Sequence, residues 1–181
     1  MRRVTIIGQP GSGKSTLARA LGERIYLPVH HMDHIHWKSG WQARTQEEKA
    51  RLVDQIIARD AWIFEGNNTA TSARRLSRSD TLIWLDLPIL LRLFRVTQRS
   101  LRYFGQARPD LPEGCREQLD PEFFRYIWRT RTSGRTKLRA VFDSAPEYVT
   151  RIRLASAGAV LGYLEGLDAA RAWGNLGIPH R

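Results

Sequence analysis

Short, uninterrupted apolar runs alternate along the chain with longer stretches in which apolar residues recur every three or four positions. The first run, Val4-Thr5-Ile6-Ile7, stops at Gly8 and reads as a buried strand. After a glycine-rich turn, Leu17, Ala18, Leu21 and Ile25 follow at helical spacing. Residues 28–33 form a second, short extended segment. Thr45 and Glu48 stand three apart ahead of Leu52, Val53, Ile56 and Ile57, the pattern of a capped amphipathic helix. Ala61-Trp62-Ile63-Phe64 reads as a third strand, stopped by Glu65-Gly66, and residues 81–85 as a fourth, ending at Asp86. Pro88 suits a helix start, and Leu90, Leu91, Phe94 and Leu101 form that helix's apolar face. Residues 105–120, with Gly105, Pro109, Pro112 and Gly114, read as a loop. Helical spacing returns at Phe123, Phe124, Ile127 and Trp128, and more weakly at Leu138, Val141 and Phe142. Residues 148–154 make a fifth strand, and Val160, Leu161 and Leu164 a last helix. Strands alternating with helices predict an α/β fold, a five-stranded parallel sheet with helices on both faces, in one domain spanning residues 1–181.

Composition narrows this reading. At 181 residues, 42% hydrophobic and 26% charged, the chain is ordinary globular material with enough length for a real core. It has no run of 18 apolar residues, and the apolar run after Arg2-Arg3 is too short for a signal peptide, so a soluble cytoplasmic protein is expected. The single cysteine, Cys115, excludes an internal disulfide and a multi-cysteine zinc site. Charge is the unusual feature. The formal net charge is +11, and 25 of the 29 cationic residues are arginines. Arginine's planar fork grips phosphate oxygens in pairs, so phosphorylated small molecules or nucleic acid are the partners to expect. Residues 92–139 hold eleven Arg and one Lys against five acids, or +7 of the net charge, and read as an Arg-rich insertion between the fourth and fifth strands.

The chemistry starts at the first turn. Gly8-Gln9-Pro10-Gly11-Ser12-Gly13-Lys14-Ser15 fits the phosphate-loop pattern G-x-x-x-x-G-K-[ST] and runs on into Thr16. Glycines let the backbone N–H groups turn inward around phosphates, Lys14 reaches the β- and γ-phosphates, and the Ser15 hydroxyl binds Mg²⁺. An apolar strand before the pattern and a helix after it supply the required context. The expectation is a P-loop NTPase fold that binds a nucleoside triphosphate with Mg²⁺. The metal also needs a carboxylate at a strand end. Glu65 and Asp86 both qualify, and Glu65 is favoured because the strand nearest the loop strand usually carries this role.

The N-terminal stretch from Gly8 to Thr16 resembles the adenylate-kinase-like branch of the phosphate-loop kinases. Further along, Asp33-His34-Ile35-His36-Trp37-Lys38-Ser39-Gly40-Trp41, Trp62-Ile63-Phe64-Glu65-Gly66-Asn67, residues 80–88, Pro112-Glu113-Gly114-Cys115-Arg116-Glu117 and Phe123-Phe124-Arg125-Tyr126-Ile127-Trp128 are similar to the DNA topology modulation (FlaR-like) proteins. The resemblance covers nearly the whole chain in the same order. It implies an ATP- and Mg²⁺-dependent phosphotransferase whose acceptor is a nucleotide or another anionic or hydroxyl-bearing small molecule. It also implies that Arg95 and Arg99 open the lid and close on the phosphates, with Arg129, Arg131 or Arg135 supplying the far side, Arg135 being the choice. Ala155-Ser156-Ala157-Gly158 falls where such proteins cradle adenine. Adenylate kinases carry Asp-Gly-Phe-Pro-Arg after their third strand, whereas this chain has Glu65-Gly66-Asn67-Asn68-Thr69, so the monophosphate-binding arginine is displaced; Arg75 is the substitute chosen over Arg74.

Asp33 lies where this branch places its acceptor site and could take a proton from an acceptor hydroxyl or simply cap a helix. His30, His31, His34 and His36 crowd into seven residues. They could contact substrate, with His36 the choice, hold a metal with Asp33, or form a polar loop. Trp37 and Trp41 could stack on an acceptor ring or belong to the core, where Trp62 and Trp84 are expected. Cys115, beside Arg116, has no evident catalytic partners. The rival to a kinase is a nucleotide-switched nucleic-acid binder using the basic insertion, and a further alternative is an NTPase without an acceptor. A kinase requires the arginines to converge on the phosphate loop; a nucleic-acid binder requires them spread over an open face.

Overall fold

The computed structural model describes residues 1–106 and 110–175. The chain order is β1 (Arg3–Gly8), α1 (Lys14–Ile25), β2 (Val29–His31), α2 (Met32–His36), β3 (Trp37–Lys38), a 3₁₀ turn (Ser39–Trp41), β4 (Gln42–Ala43), α3 (Gln46–Ile57), β5 (Trp62–Glu65), α4 (Thr69–Arg78), β6 (Thr81–Leu85), α5 (Ile89–Arg102), α6 (Pro121–Arg129), α7 (Arg131–Asp143), β7 (Thr150–Leu154) and α8 (Ala157–Asn175). β3 and β4 pair as a small antiparallel ribbon. The other five strands form one parallel sheet in the order β2-β5-β1-β6-β7.

Strand alternation decides which helices cover which face. Val4, Ile6, Ile63, Ile83, Leu85 and Leu154 pack with Leu17, Ala18 and Leu21 of α1, and Val160 and Leu164 of α8 close that side. The opposite residues, Ile7, Leu82 and Trp84, meet Leu76 of α4 and Leu138 of α7. Trp62 and Phe64 meet Val53 and Ile57 of α3 beside Met32 and Ile35 of α2. Both Trp62 and Trp84 are core residues, as their strand positions required. The Thr45–Glu48 capping box forms at the start of α3, with Thr45 Oγ1 accepting from the Glu48 amide and Glu48 Oε2 accepting from the Thr45 amide.

Residues 92–139, the expected insertion, begin inside α5 and end inside α7, whose Leu138 belongs to the core. Two departures from the sequence reading matter. Helix α4 carries no apolar periodicity because its buried positions are Thr71, Arg75 and Leu76. The expected apolar face of α5 points outward. Arg92, Val96 and Ser100 are buried, while Leu90, Phe94 and Leu101 are exposed.

Candidate active site

Parallel strands bring their C-terminal ends to one edge, and β1, between β5 and β6, marks the point where the strand order reverses. Register puts Ile6 opposite Glu65 and Glu65 opposite His31, so the ends of β1, β5 and β2 share one row. Residues 8–15 leave β1 there and enter α1. Gly11 and Gly13 take left-handed φ values of 77° and 87°. A Cβ at Gly11 would lie 2.4 Å from the Arg92 carbonyl oxygen, so the loop is seated directly on α5.

The loop's side chains are held from several elements. Asn67, after β5, brackets the end of β1: its Nδ2 donates to the Gly8 carbonyl (2.7 Å) and its Oδ1 accepts from the Gly8 amide (3.3 Å). Gln9 is buried and its Nε2 donates to the carbonyls of Thr130 (3.1 Å) and Arg131 (3.0 Å), binding the loop to the α6–α7 elbow. From α5, Arg92 donates to Pro10 O (3.2 Å) and Arg95 to Ser12 O (3.1 Å). Lys14 Nζ lies 3.4 Å from Gln9 O. Burial pulls its ammonium below the usual lysine value, against the upward pull of Glu65 and Asp33. The Ser12 hydroxyl is buried without a hydrogen-bond partner among the described residues.

Ser15 and Glu65 come together. Ser15 Oγ donates to Glu65 Oε1 at 2.9 Å, and His31 Nδ1 sits 2.7 Å from the same oxygen. Desolvation raises the Glu65 carboxyl, but His31, Lys14 and Ser15 outweigh it and hold its pKa below the ordinary glutamate value. Asp86, the alternative carboxylate, is engaged elsewhere. It accepts both Nε and Nη2 of Arg135 (2.7 and 2.9 Å) and both of Arg153 (3.0 and 2.6 Å). Arg135, expected on the phosphates, is therefore committed to the end of β6. Arg131, Arg135, Arg153, Arg92, Gln9 and Ala155 line a cleft of about 360 Å³ beside the loop, which puts the expected adenine segment at its rim.

Arg99 takes a different partner again. Its Nε and Nη2 donate to Glu117 Oε1 (3.1 and 3.0 Å), which Ser100 Oγ also reaches (2.9 Å). Backbone bonds between Glu117 and residues 105–106 complete this staple of the segment after α5. Farther on, the segment lies against the β3–β4 region, where Cys115 is buried with Sγ donating to Lys38 O at 3.4 Å.

Past the end of β2, Asp33 is exposed at the start of α2 and near enough to Lys14 to act on its charge. His36 packs edge-on to Trp37 (4.4 Å) and Trp37 edge-on to Trp41 (5.3 Å); burial, with help from Lys49, holds the His36 imidazole below its usual pKa. Trp37 and Trp41 are thus outside the core, and Trp41 holds a left-handed backbone (φ 62°) while exposed. Of the four clustered histidines, His31 and His34 stay together, their ring centroids 5.8 Å apart with His31 on Glu65, while His30 leans on Phe64 and His36 on Trp37. Among the described residues no three His, Cys, Asp or Glu side chains draw together as a metal site.

Arg75, expected in place of the displaced monophosphate-binding arginine, lies inside the fold. The guanidinium is fully buried, stacked 5.0 Å over Phe64, and donates to Gly66 O (2.8 Å) and Asn68 O (3.5 Å). Burial lowers its pKa to about 10. It braces the loop after β5 from behind instead of facing a cleft. Asn67, Arg92 and Arg153 were the residues missed. Their signals, a polar residue just past a strand and arginines at helix and strand positions, are indistinguishable in sequence from surface residues.

No family model and no curated protein matches the chain. Solved structures do. Shikimate kinase from Acinetobacter baumannii, in complex with shikimate, superposes with a TM-score of 0.55 at 15% identity, covering 97% of this chain and 96% of that one. A gluconokinase from Sinorhizobium meliloti 1021 gives 0.51 at 15% identity over 97% and 95%, and TT1252 from Thermus thermophilus 0.55 at 19% over 93% and 95%. The fold is the α/β P-loop NTPase fold, in the arrangement seen in the shikimate kinase and the gluconokinase. No helix among the described residues is long and apolar enough to cross a membrane.

Proposed function

We propose that this chain is an ATP- and Mg²⁺-dependent phosphotransferase of the adenylate-kinase-like type, with a small hydroxyl-bearing or anionic acceptor. The observation that carries the reading is the joint placement of a glycine cradle, a half-buried Lys14, and the Ser15–Glu65 pair at one sheet edge. The residues fit the ligands: Gly11 and Gly13 take the left-handed φ values that curl the loop, and the buried Ser12 hydroxyl meets no hydrogen-bond partner among the described residues. The loop amides and Lys14 hold the triphosphate, and Ser15 and Glu65 hold the metal. When bound, Mg²⁺ neutralises charge on the phosphate oxygens. Arg95, on the loop's rim, stabilises charge on the transferred group. The acceptor oxygen forms the new P–O bond as ADP leaves, and Asp33 takes the acceptor's proton. The neighbouring kinases are named for shikimate and gluconate, which supports a polyhydroxylated acceptor over AMP, as does the burial of Arg75.

The turning of Arg92 and Arg95 toward the loop, and of Arg131, Arg135 and Arg153 toward the adjoining cleft, favours this reading over a nucleic-acid surface. The test is ADP release by the purified chain with Mg²⁺-ATP, run with nucleoside monophosphates, sugars, hydroxy acids and duplex DNA at two salt concentrations. An acceptor that raises ADP formation in the wild type and not in Lys14→Ala supports the kinase. Hydrolysis that no compound accelerates points to a plain NTPase, and binding of DNA alone, erased by salt, overturns the proposal.

A further inference from the structure

Helix α5 presents its apolar side to solvent. Leu90 is 72% exposed, Phe94 59%, Leu101 62% and, just beyond the helix, Phe104 62%. Within the helix, with exposed Thr97, these positions run 90, 94, 97, 101, the alternating four-and-three spacing of a heptad seam, and exposed Phe104 follows past the helix end. Leu91, Leu93 and Gln98 flank it without charge, and the exposed cation Arg102 stands off the seam in the last turn. The inner side of the same helix is occupied by Arg92 and Arg95 on the phosphate loop and by Ser100 on Glu117, so the helix cannot turn its leucines inward without releasing those bonds.

From this we infer that two copies of the chain pair through α5, antiparallel about a two-fold axis near Thr97. Charge selects the occupant. An acidic protein or a nucleic acid would be drawn to exposed arginines, which this strip lacks. Two molecules of net charge +11 repel, and a strip without exposed cations lets them meet without arginine facing arginine. The spacing selects a helix as the opposing surface, and an isologous dimer supplies the same helix. Four large side chains exposed to this degree present roughly 400–500 Å², about half of the ~800 Å² per partner of a standard interface, leaving the remainder to the polar rim. The inference is independent of the phosphotransfer reading.

Sedimentation equilibrium across micromolar concentrations should give twice the 20.8 kDa chain mass for the wild type. Phe94→Glu should weaken pairing about a hundredfold or more, with circular dichroism checking the fold, while Leu161→Glu on α8 should leave it intact. Thr97→Cys should form a disulfide-linked dimer on oxidation, and Leu90→Cys should not, because in the antiparallel pair it faces the opposite end. A monomeric wild type at 100 µM, on the order of a weak dimer's dissociation constant, overturns the inference. So does a dimer that survives Phe94→Glu, or one in which Thr97→Cys fails to cross-link.

Discussion

Replacing Asp86 with asparagine separates two jobs that a strand-end carboxylate can hold in this fold: serving the metal, or anchoring the wall of the cleft. The side chain is 3% exposed and accepts four hydrogen bonds from Arg135 and Arg153. Breaking a fully buried ion pair costs about 3–5 kcal/mol. Here the two arginines are 49% and 41% exposed and can rehydrate, and the asparagine oxygen keeps one acceptor, so about 2 kcal/mol is the expected loss. For a chain of this length that lowers Tm by about 4–8 °C. Burial pushes the Asp86 carboxyl up, but the bonds and charges of Arg135 and Arg153 outweigh it and hold its pKa below the ordinary value. A carboxyl depressed in the folded state contributes stability that is present above its unfolded pKa of about 3.9 and is lost as pH falls through the folded value. Scanning calorimetry from pH 7 downward should therefore show the wild type converging on Asp86→Asn below about pH 4. At pH 7 the variant should keep its Mg²⁺-dependent gain in ATP affinity, whereas Glu65→Gln should lose it. A Tm unchanged at pH 7, or a metal response lost in Asp86→Asn and kept in Glu65→Gln, would refute the assignment of anchor to one carboxylate and metal to the other.

Gly11→Ala should destabilise the fold by more than about 2 kcal/mol and abolish ATP binding by calorimetry, since it combines a left-handed backbone with a Cβ 2.4 Å from the Arg92 carbonyl. Gln9→Ala removes two bonds to the α6–α7 elbow, about 1–2 kcal/mol together, and should lower Tm while raising the KM for ATP. Arg75→Lys should lower Tm without changing the acceptor KM, because the ammonium cannot hold both carbonyls and stack on Phe64; a raised KM at unchanged Tm would return Arg75 to the acceptor site.

The five strands and the phosphate loop were readable because each announces itself locally, by an apolar run or by glycine at fixed spacing. What stayed hidden depends on tertiary partners. Glu65 and Asp86 look alike in sequence, each an acid closing an apolar strand; only the register that sets His31 beside Glu65, and the pairing of β6 with β7 that carries Arg153 to Asp86, tells them apart. Arg95, Arg99 and Arg135 are equally cationic on paper, yet one bonds the loop, one the Glu117 staple and one Asp86. Helix α4 escaped notice because its buried face is built around a guanidinium.

Helix α5 shows the general limit. Periodicity reports that a helix has two unlike faces; it does not report which one faces in. The usual rule, apolar inward, follows from the area term that dominates most cores. In α5 a competing demand wins. The loop carbonyls of Pro10 and Ser12 need donors, Gly11 needs a close backbone neighbour, and Glu117 needs Arg99 and Ser100, all of which the polar side of α5 supplies. Turning the helix by half a revolution would bury Leu90, Phe94 and Leu101 at the expense of every one of those bonds. A helix under both demands satisfies the second by leaving its apolar seam outside, where another surface can cover it.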